Sequence, residues 1–463
     1  MKRALLKSFV MGILGGFSFV SVAFGETLTL SECVDMALMN HRSIEQAAAS
    51  RENARWALSE ARRSAGPSLS WNMSGMHIGG SSYAQGRLQH DLGNGPSYDN
   101  EFAHTLSLQM PLYTGGQIEG AIDSAHYQLS AADLQLENAR QTVRYRARSA
   151  YYQVLQCQSL IAVRQEAVNN IKAHLKQVEN QYDVGIVARS DLLSSGVQLA
   201  NQEQALVTAL ADHKKALASL KNIMGVSPAV ELELAEDLQM VGEVPDVTDC
   251  AGYAFRHRPD ALAADYNVRS AEADVRSAKS GYQPKLNMRV EKDVEGEGAL
   301  YKHDHNEAWK AGVEASWNIF DNGVTSAKVK EANARLATAR SQAKEVRETI
   351  ELEVTEAHED LTAAQQNIRI TSDAVKKAEG NYTIAQVRYE EGVDTNLAVM
   401  DAQEKLIEAR TNYYTALYNA NNGKAKLDKA MGVPIAISTP LYREAIEAGK
   451  SANEALSAAE INE

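Results

Sequence analysis

The chain has 463 residues, of which only 9 are Pro and 7 Phe, with Ala, Glu, Gln, Lys, Arg and Asn crowding most of its length. That length could hold two or three domains, but the composition favours long helices over compact ones. A formal net charge of −13 argues against nucleic-acid binding, and an odd count of 3 Cys argues against a full disulfide framework.

The first element is an export signal. Lys2, Arg3 and Lys7 precede an apolar run from Phe9 to Phe24, and Ala23-Phe24-Gly25 places small residues where a signal peptidase cuts. Removal of residues 1–25 starts the mature chain at Glu26 and, with three positive charges lost, takes the net charge to −16. The competing reading is an N-terminal membrane anchor. No later stretch approaches the roughly 20 apolar residues of a membrane helix, so any further crossing must use strands. Cys33 follows Glu32, where a lipidation site requires a small residue. A Cys33–Cys250 bridge could form in an oxidising compartment, although small buried thiols on helices are commoner.

A helix is expected over 31–65. After Gly66-Pro67 the period switches to two: Leu69, Trp71 and Met73 alternate with Ser68, Ser70, Asn72 and Ser74. A Gly-, Ser- and Asn-rich loop from Gly79 to Asn100 leads to a return strand with Phe102, His104, Leu106, Leu108, Met110 and Leu112 on one face. Beyond Gly116 a heptad stripe runs through Ile118, Leu129, Leu136, Val143, Val154, Ile171 and Val178, with an extra four-residue step at Ala147. Heptads held this long make a coiled-coil seam, and the stutter straightens it. A long helix of about 70 residues would span about 100 Å at 1.5 Å per residue. A second short helix follows over 190–224, and Val230–Leu234 alternates like a short strand.

The same order of elements then recurs. Cys33-Val34-Asp35-Met36-Ala37-Leu38 aligns with Cys250-Ala251-Gly252-Tyr253-Ala254-Phe255 at an offset of 217 residues, and Pro67 with Pro284. After one deletion the offset is 207: Tyr182-Asp183-Val184-Gly185 matches Tyr389-Glu390-Glu391-Gly392, and Met224-Gly225-Val226 matches Met431-Gly432-Val433. The second copy has short helices over 248–282 and 395–431, and its strands place Leu286, Met288 and Val290, then Trp309 to Ile319, in alternation. The expected domains are therefore a signal peptide (1–25), a first repeat (26–226), a mid-length linker (227–247), a second repeat (248–433) and a tail (434–463). Each strand has one apolar and one strongly polar face, as a lipid-facing barrel strand requires, and Trp309 and Trp317 stand near strand ends as a girdle would. Four strands cannot close a barrel, and open edges are not tolerated in lipid, so a membrane barrel needs several chains. The bland alternative is a small soluble sheet packed on the helices.

Leu112-Tyr113-Thr114-Gly115-Gly116, Asn318-Ile319-Phe320-Asp321-Asn322-Gly323, Tyr389-Glu390-Glu391-Gly392 and Val399-Met400-Asp401-Ala402-Gln403, in this duplicated order, resemble the TolC family of outer-membrane channel proteins across nearly the whole mature chain. The resemblance implies a mainly α fold with β: duplicated coiled-coil helices forming an α-barrel across the periplasm. Four strands per chain would join a trimeric twelve-stranded β-barrel in outer-membrane lipid. It implies a homotrimer working as exit duct for efflux or type I secretion, with a periplasmic adaptor and an inner-membrane pump of RND, ABC or MFS type. The competing class is a soluble periplasmic adaptor or scaffold without a pore.

The resemblance also places the gate at the periplasmic turns. Position by position, Asp401 matches a ring acid, Asp191 the aspartate of the contact network and Tyr389 its tyrosine. Two positions depart: Ala398 stands where a second ring acid is expected, and Asp394 where the best-studied member has arginine. Arg189 and Asp394 at neighbouring tips are therefore expected to pair instead, and a ring of Asp401 carboxylates to concentrate cations. Gly185, Ile186, Val187 and Ala188, with Gly392, Val393, Asp394 and Thr395, are the expected adaptor-docking tips. No catalytic residues and no cofactor are expected. His303-Asp304-His305 is a weak metal candidate in a hairpin loop, and the glycines around Gly93 and Gly296 lack the strand-to-helix context of a phosphate loop.

Overall fold

The computed structural model describes residues 27–77, 100–235, 237–240, 242, 244–297 and 305–435. The export signal, the first hairpin loop with Gly93, the His303-Asp304 pair and the tail beyond 435 lie outside the described residues. In chain order the elements are β1 (Thr27–Leu28), α1 (Leu30–Asn40), α2 (Arg42–Arg63), β2 (Ser68–His77), β3 (Asn100–Tyr113), α3 (Gln117–Asp183), α4 (Arg189–Met224), β4 (Glu233–Leu234), α5 (Val247–His257), α6 (Pro259–Lys279), β5 (Lys285–Glu297), β6 (His305–Ser316), α7 (Val324–Glu390) and α8 (Asn396–Ala430).

The duplication is most visible in α3 and α7. Each has 67 residues, and they begin and end at positions 207 residues apart. Their starts have a shared cause. The Thr114 hydroxyl accepts from the Ile118 N–H at 3.3 Å, and in the second copy Asp321 accepts from Gly323 at 3.0 Å and Thr325 at 2.7 Å. Short polar acceptors at this position satisfy N–H groups that the first helical turn leaves without partners. The heptad stripe is the buried face: Leu136, Val143, Val154, Val168, Ile171, Val178, Ile350, Val354, Ala357 and Leu361 are each at most 5% exposed. Removing each larger aliphatic side chain from water contributes about 1.5–3 kcal/mol. No helix among the described residues is long and apolar enough to cross a membrane.

The single helices expected over 31–65 and 248–282 are each broken once, at His41 (φ −72°, ψ 127°) and Arg258 (φ −76°, ψ 124°), again 217 residues apart. In the second copy Pro259 excludes its predecessor from helical conformation. The first copy has no proline there. Instead, Asn40 donates to the Met224 carbonyl at 3.2 Å, and Gly225 lies so close that a Cβ on it would stand 2.9 Å from the Asn40 Cβ. Gly432 lies as close to Arg258 in the second copy. The breaks thus fall where the last short helix of each repeat ends against the first.

The chain packs as two compact units, and each takes segments from both repeats. One comprises the residues through His41, Arg146–Gly242 and Ala363–Asn422; the other comprises Arg42–Tyr145, Glu243–Thr362 and the residues from Gly423. In the first, β1 pairs in parallel with β4, the short linker strand. The second holds an antiparallel four-stranded sheet in the order β2-β3-β5-β6. One face aligns Leu69, Leu108, Val290 and Ala311 in a row, followed by Trp71, Leu106, Lys292 and Trp309. The other face is polar, with Thr105 donating to Asp293 at 2.8 Å and ion pairs Arg289–Glu291 at 2.6 Å and Lys310–Asp293 at 3.3 Å. β2 and β6 end the sheet, and each pairs with a neighbour on one side alone. Cys250 is a free thiol, so the Cys33–Cys250 bridge is not formed.

Candidate gate and docking tips

Each long helix ends in the same turn. Gly185 (φ +79°) donates to Tyr182 O at 2.9 Å and Ile186 to Gln181 O at 2.8 Å; Gly392 (φ +74°) donates to Tyr389 O at 3.0 Å and Val393 to Arg388 O at 2.8 Å. These pairs satisfy the last carbonyls of the helix in a Schellman motif, which needs a left-handed residue. A Cβ at either glycine would meet nothing within 4 Å, so backbone conformation, not space, calls for glycine. The second turn is capped by Thr395, whose hydroxyl accepts from the Ala398 N–H at 3.3 Å.

The tips present apolar side chains outward: Val184 is 70% exposed, Ile186 73%, Val393 67% and Leu397 70%. Val187 is half-buried and packs with Leu192 on a core of Val178, Tyr382, Tyr389, Val399 and Leu406. Gly185, Ala188 and Thr395 are exposed along the same turns.

The sequence-predicted gate residues sit in this one unit, but their contacts differ from those expected. Tyr389 is 6% exposed, and its hydroxyl donates to Gln181 Oε1 at 2.7 Å. Burial, then the Asp191 carboxylate, push its phenol above its ordinary pKa. Asp191 lies in the first turn of α4, where a negative charge favours the helix N-terminus. Asp394 pairs with Arg388 of its own hairpin at 3.2 Å, in place of the expected Arg189 partner. Arg189 is exposed and makes no ion pair among the described residues. The reason is reach: the Schellman turn folds residue 394 back beside residue 388, whose carbonyl also accepts from the Asp394 N–H at 3.2 Å. Asp401 is exposed and pairs with Lys405 one turn later at 2.7 Å, so the ring acid carries its own counter-charge.

A buried polar cluster that the sequence reading did not single out joins the two hairpins. His174 (4% exposed), Asn396 (5%) and Ser195 (0%) meet beside Tyr389. His174 Nε2 is 2.6 Å from Asn396 Oδ1, and Asn396 Nδ2 donates to the Asp191 carbonyl at 3.2 Å and to Ser195 Oγ at 3.0 Å. The His174 and Tyr389 rings are 5.1 Å apart. The available signal was positional: residue 174 lies three after Ile171 and four before Val178, on the apolar stripe, where a polar side chain needs a partner. Farther along, Arg410 of α8 bridges Glu379 of α7 at 2.8 Å and Glu166 of α3.

Both halves of the chain match one family model, described as outer membrane efflux protein, over residues 33–226 and 252–433. The chain belongs to that outer membrane efflux family. Within it, the chain is 24% identical over 318 residues to the outer membrane efflux protein BepC of Brucella suis, covering 68% of this chain and 69% of BepC. It is 22% identical over 435 residues to the outer membrane protein TolC of Escherichia coli, covering 90% and 84% of the two chains. Its fold is similar to the crystal structure of the CmeC outer membrane channel of Campylobacter jejuni, with a TM-score of 0.78 at 18% identity over 91% of this chain and 89% of CmeC. Among efflux-family features, the paired 67-residue helices, the hairpin turns and the four-stranded sheet are therefore fold elements, whereas the tip contacts above belong to this chain's own sequence.

Proposed function

We propose that this chain is the outer-membrane exit duct of a tripartite efflux or type I secretion system, working as a homotrimer. The observation that carries the reading is the four-stranded sheet: apolar and exposed on one face, charged on the other, with β2 and β6 unpaired at its ends. Lipid does not tolerate open strand edges. Three copies supply twelve strands, which close edge to edge with the polar face inward, as an outer-membrane barrel requires. The helical hairpins of the three copies then form the periplasmic tunnel.

In this reading Asp191, Tyr389, Asp394 and Asp401 line or brace the constriction, with Arg189 at its rim. Gly185 to Ala188 and Gly392 to Thr395 receive a periplasmic adaptor, to which exposed Ile186 and Val393 offer apolar anchors. An inner-membrane pump of RND, ABC or MFS type supplies the cargo. The duct itself carries out no covalent chemistry. Envelope fractionation followed by planar-bilayer recording tests the reading: the outer-membrane fraction should contain a trimer that gives stepwise single-channel currents. Recovery of the chain in the soluble periplasm would eliminate it.

A further inference from the structure

The apolar face of the sheet is interrupted at one level. Successive rows across the four strands read Leu69, Leu108, Val290, Ala311, then Trp71, Leu106, Lys292, Trp309, then Met73, His104, Val294, Glu307. Trp71, His104, Leu106, Lys292 and Val294 line a crevice of 280 Å³. Trp71 stacks on the His104 ring with 6.0 Å between centroids, and His104 Nε2 is buried without a hydrogen-bond partner. Lys292 pairs with Glu307 at 3.1 Å, which uses one of the three donors of the ammonium.

The depth of this crevice follows from the tryptophans. Trp317 stands just past β6, where its indole donates to the Tyr282 carbonyl at 3.2 Å, with exposed Phe320 nearby in sequence. Trp309 lies eight residues up the strand. At ~3.3 Å per residue and a tilt of ~40°, the two indoles are about 20 Å apart along the barrel axis, close to the spacing of the two aromatic girdles of an outer-membrane barrel. The helices leave the sheet at the Trp317 end, so Trp309, Lys292 and His104 belong to the girdle farthest from the periplasm.

We propose that the crevice between Trp71, His104 and Lys292 seats a phosphate group of an outer-leaflet lipid; this rests on the outer-membrane reading above. An ammonium and an unpartnered imidazole nitrogen on a lipid-facing surface are costly unless something polar meets them. Phosphate is the complementary group: an acceptor for the imidazole N–H and a counter-charge for the lysine. The tryptophan faces would hold the adjoining apolar part of the same lipid.

The test is native mass spectrometry of the full-length protein taken from phosphatidylethanolamine vesicles that contain either bis-phosphorylated lipid A or its dephosphorylated form. The wild type should retain at least fivefold more of the phosphorylated lipid, and Lys292→Gln with His104→Phe should remove that preference. Lys310→Gln, on the opposite face, should keep it. Should the double variant fail to assemble, Lys292→Gln alone should lower the preference at least twofold. Equal retention of the two lipids by wild type, an undiminished preference in Lys292→Gln, or release of the lipid by millimolar inorganic phosphate would overturn the proposal. A wild-type chain that does not insert into the vesicles at all would instead refute the outer-membrane reading.

Discussion

His174 and Asn396 belong to different repeats, yet the imidazole Nε2 of one lies 2.6 Å from the amide Oδ1 of the other, with both side chains at most 5% exposed. Asn396 turns its amide nitrogen to the Asp191 carbonyl and Ser195, so its oxygen faces the ring and Nε2 is the protonated nitrogen of a neutral histidine. The two helical hairpins of a chain are clasped through this amide.

Asn396→Ala removes an acceptor and a donor from a closed, buried network and leaves His174 and Ser195 without their partner. The expected local destabilisation is about 1–3 kcal/mol. Amide hydrogen exchange in 184–195 and 391–399 should accelerate roughly 5- to 30-fold, the ratio that one or two kcal/mol allows. Exchange at the wild-type rate would show that the clasp contributes nothing to holding the hairpins.

Burial holds the His174 imidazole below its ordinary pKa of 6.5, an effect opposed only in part by the bond to Asn396. The unfolded histidine therefore takes its proton first as pH falls, so stability is full above pH 6.5 and is lost as pH drops below it, until the folded histidine is also protonated. His41 and His213, also lowered by burial, act in the same direction. Thermal unfolding at pH 7.5 and at pH 5.5 should show this loss, and His174→Gln should reduce it without abolishing it. An identical pH dependence in His174→Gln would count against the buried neutral histidine.

Gly185→Ala and Gly392→Ala force a side chain into the left-handed region at a site with open space around it. Each should cost ~1–2 kcal/mol, and Asn in place of Ala should cost less, because Asn tolerates that conformation better. Proteolysis at the tips offers a sensitive readout. Equal behaviour of Ala and Asn would mean that the backbone conformation is not the cause.

Lys405 stands 2.7 Å from Asp401, so the ring acid is partly neutralised. Lys405→Gln should shift the reversal potential under a salt gradient toward cation selectivity, and Asp401→Asn should move it the other way. Coincident reversal potentials for the wild type and both variants would remove residue 401 from the constriction.

Much of the architecture is legible in the order of residues, because its cause is periodic. A stripe with seven-residue spacing can bury only one helical face, alternation by two can bury only one sheet face, and a glycine after Tyr182 or Tyr389 can end a helix without strain. Duplication then repeats each of these local causes at a fixed offset, which is why α3 and α7 match residue for residue. The breaks at His41 and Arg258 show the limit. Pro259 marks one of them, while the other has no local signal and depends on Asn40 meeting the end of α4.

The tip contacts were not legible for the same reason. Asp394 had two arginines within reach on paper, and the fold of the Schellman turn, not sequence distance to Arg189, selected Arg388. Sequence by itself determined the repeat, the helix lengths, the two-faced strands and the positions of the turns, since each rests on neighbours within a few residues. Only the tertiary structure decided that His174 would be answered by Asn396 and Asp401 by Lys405, because such pairings depend on which faces the packed helices bring together.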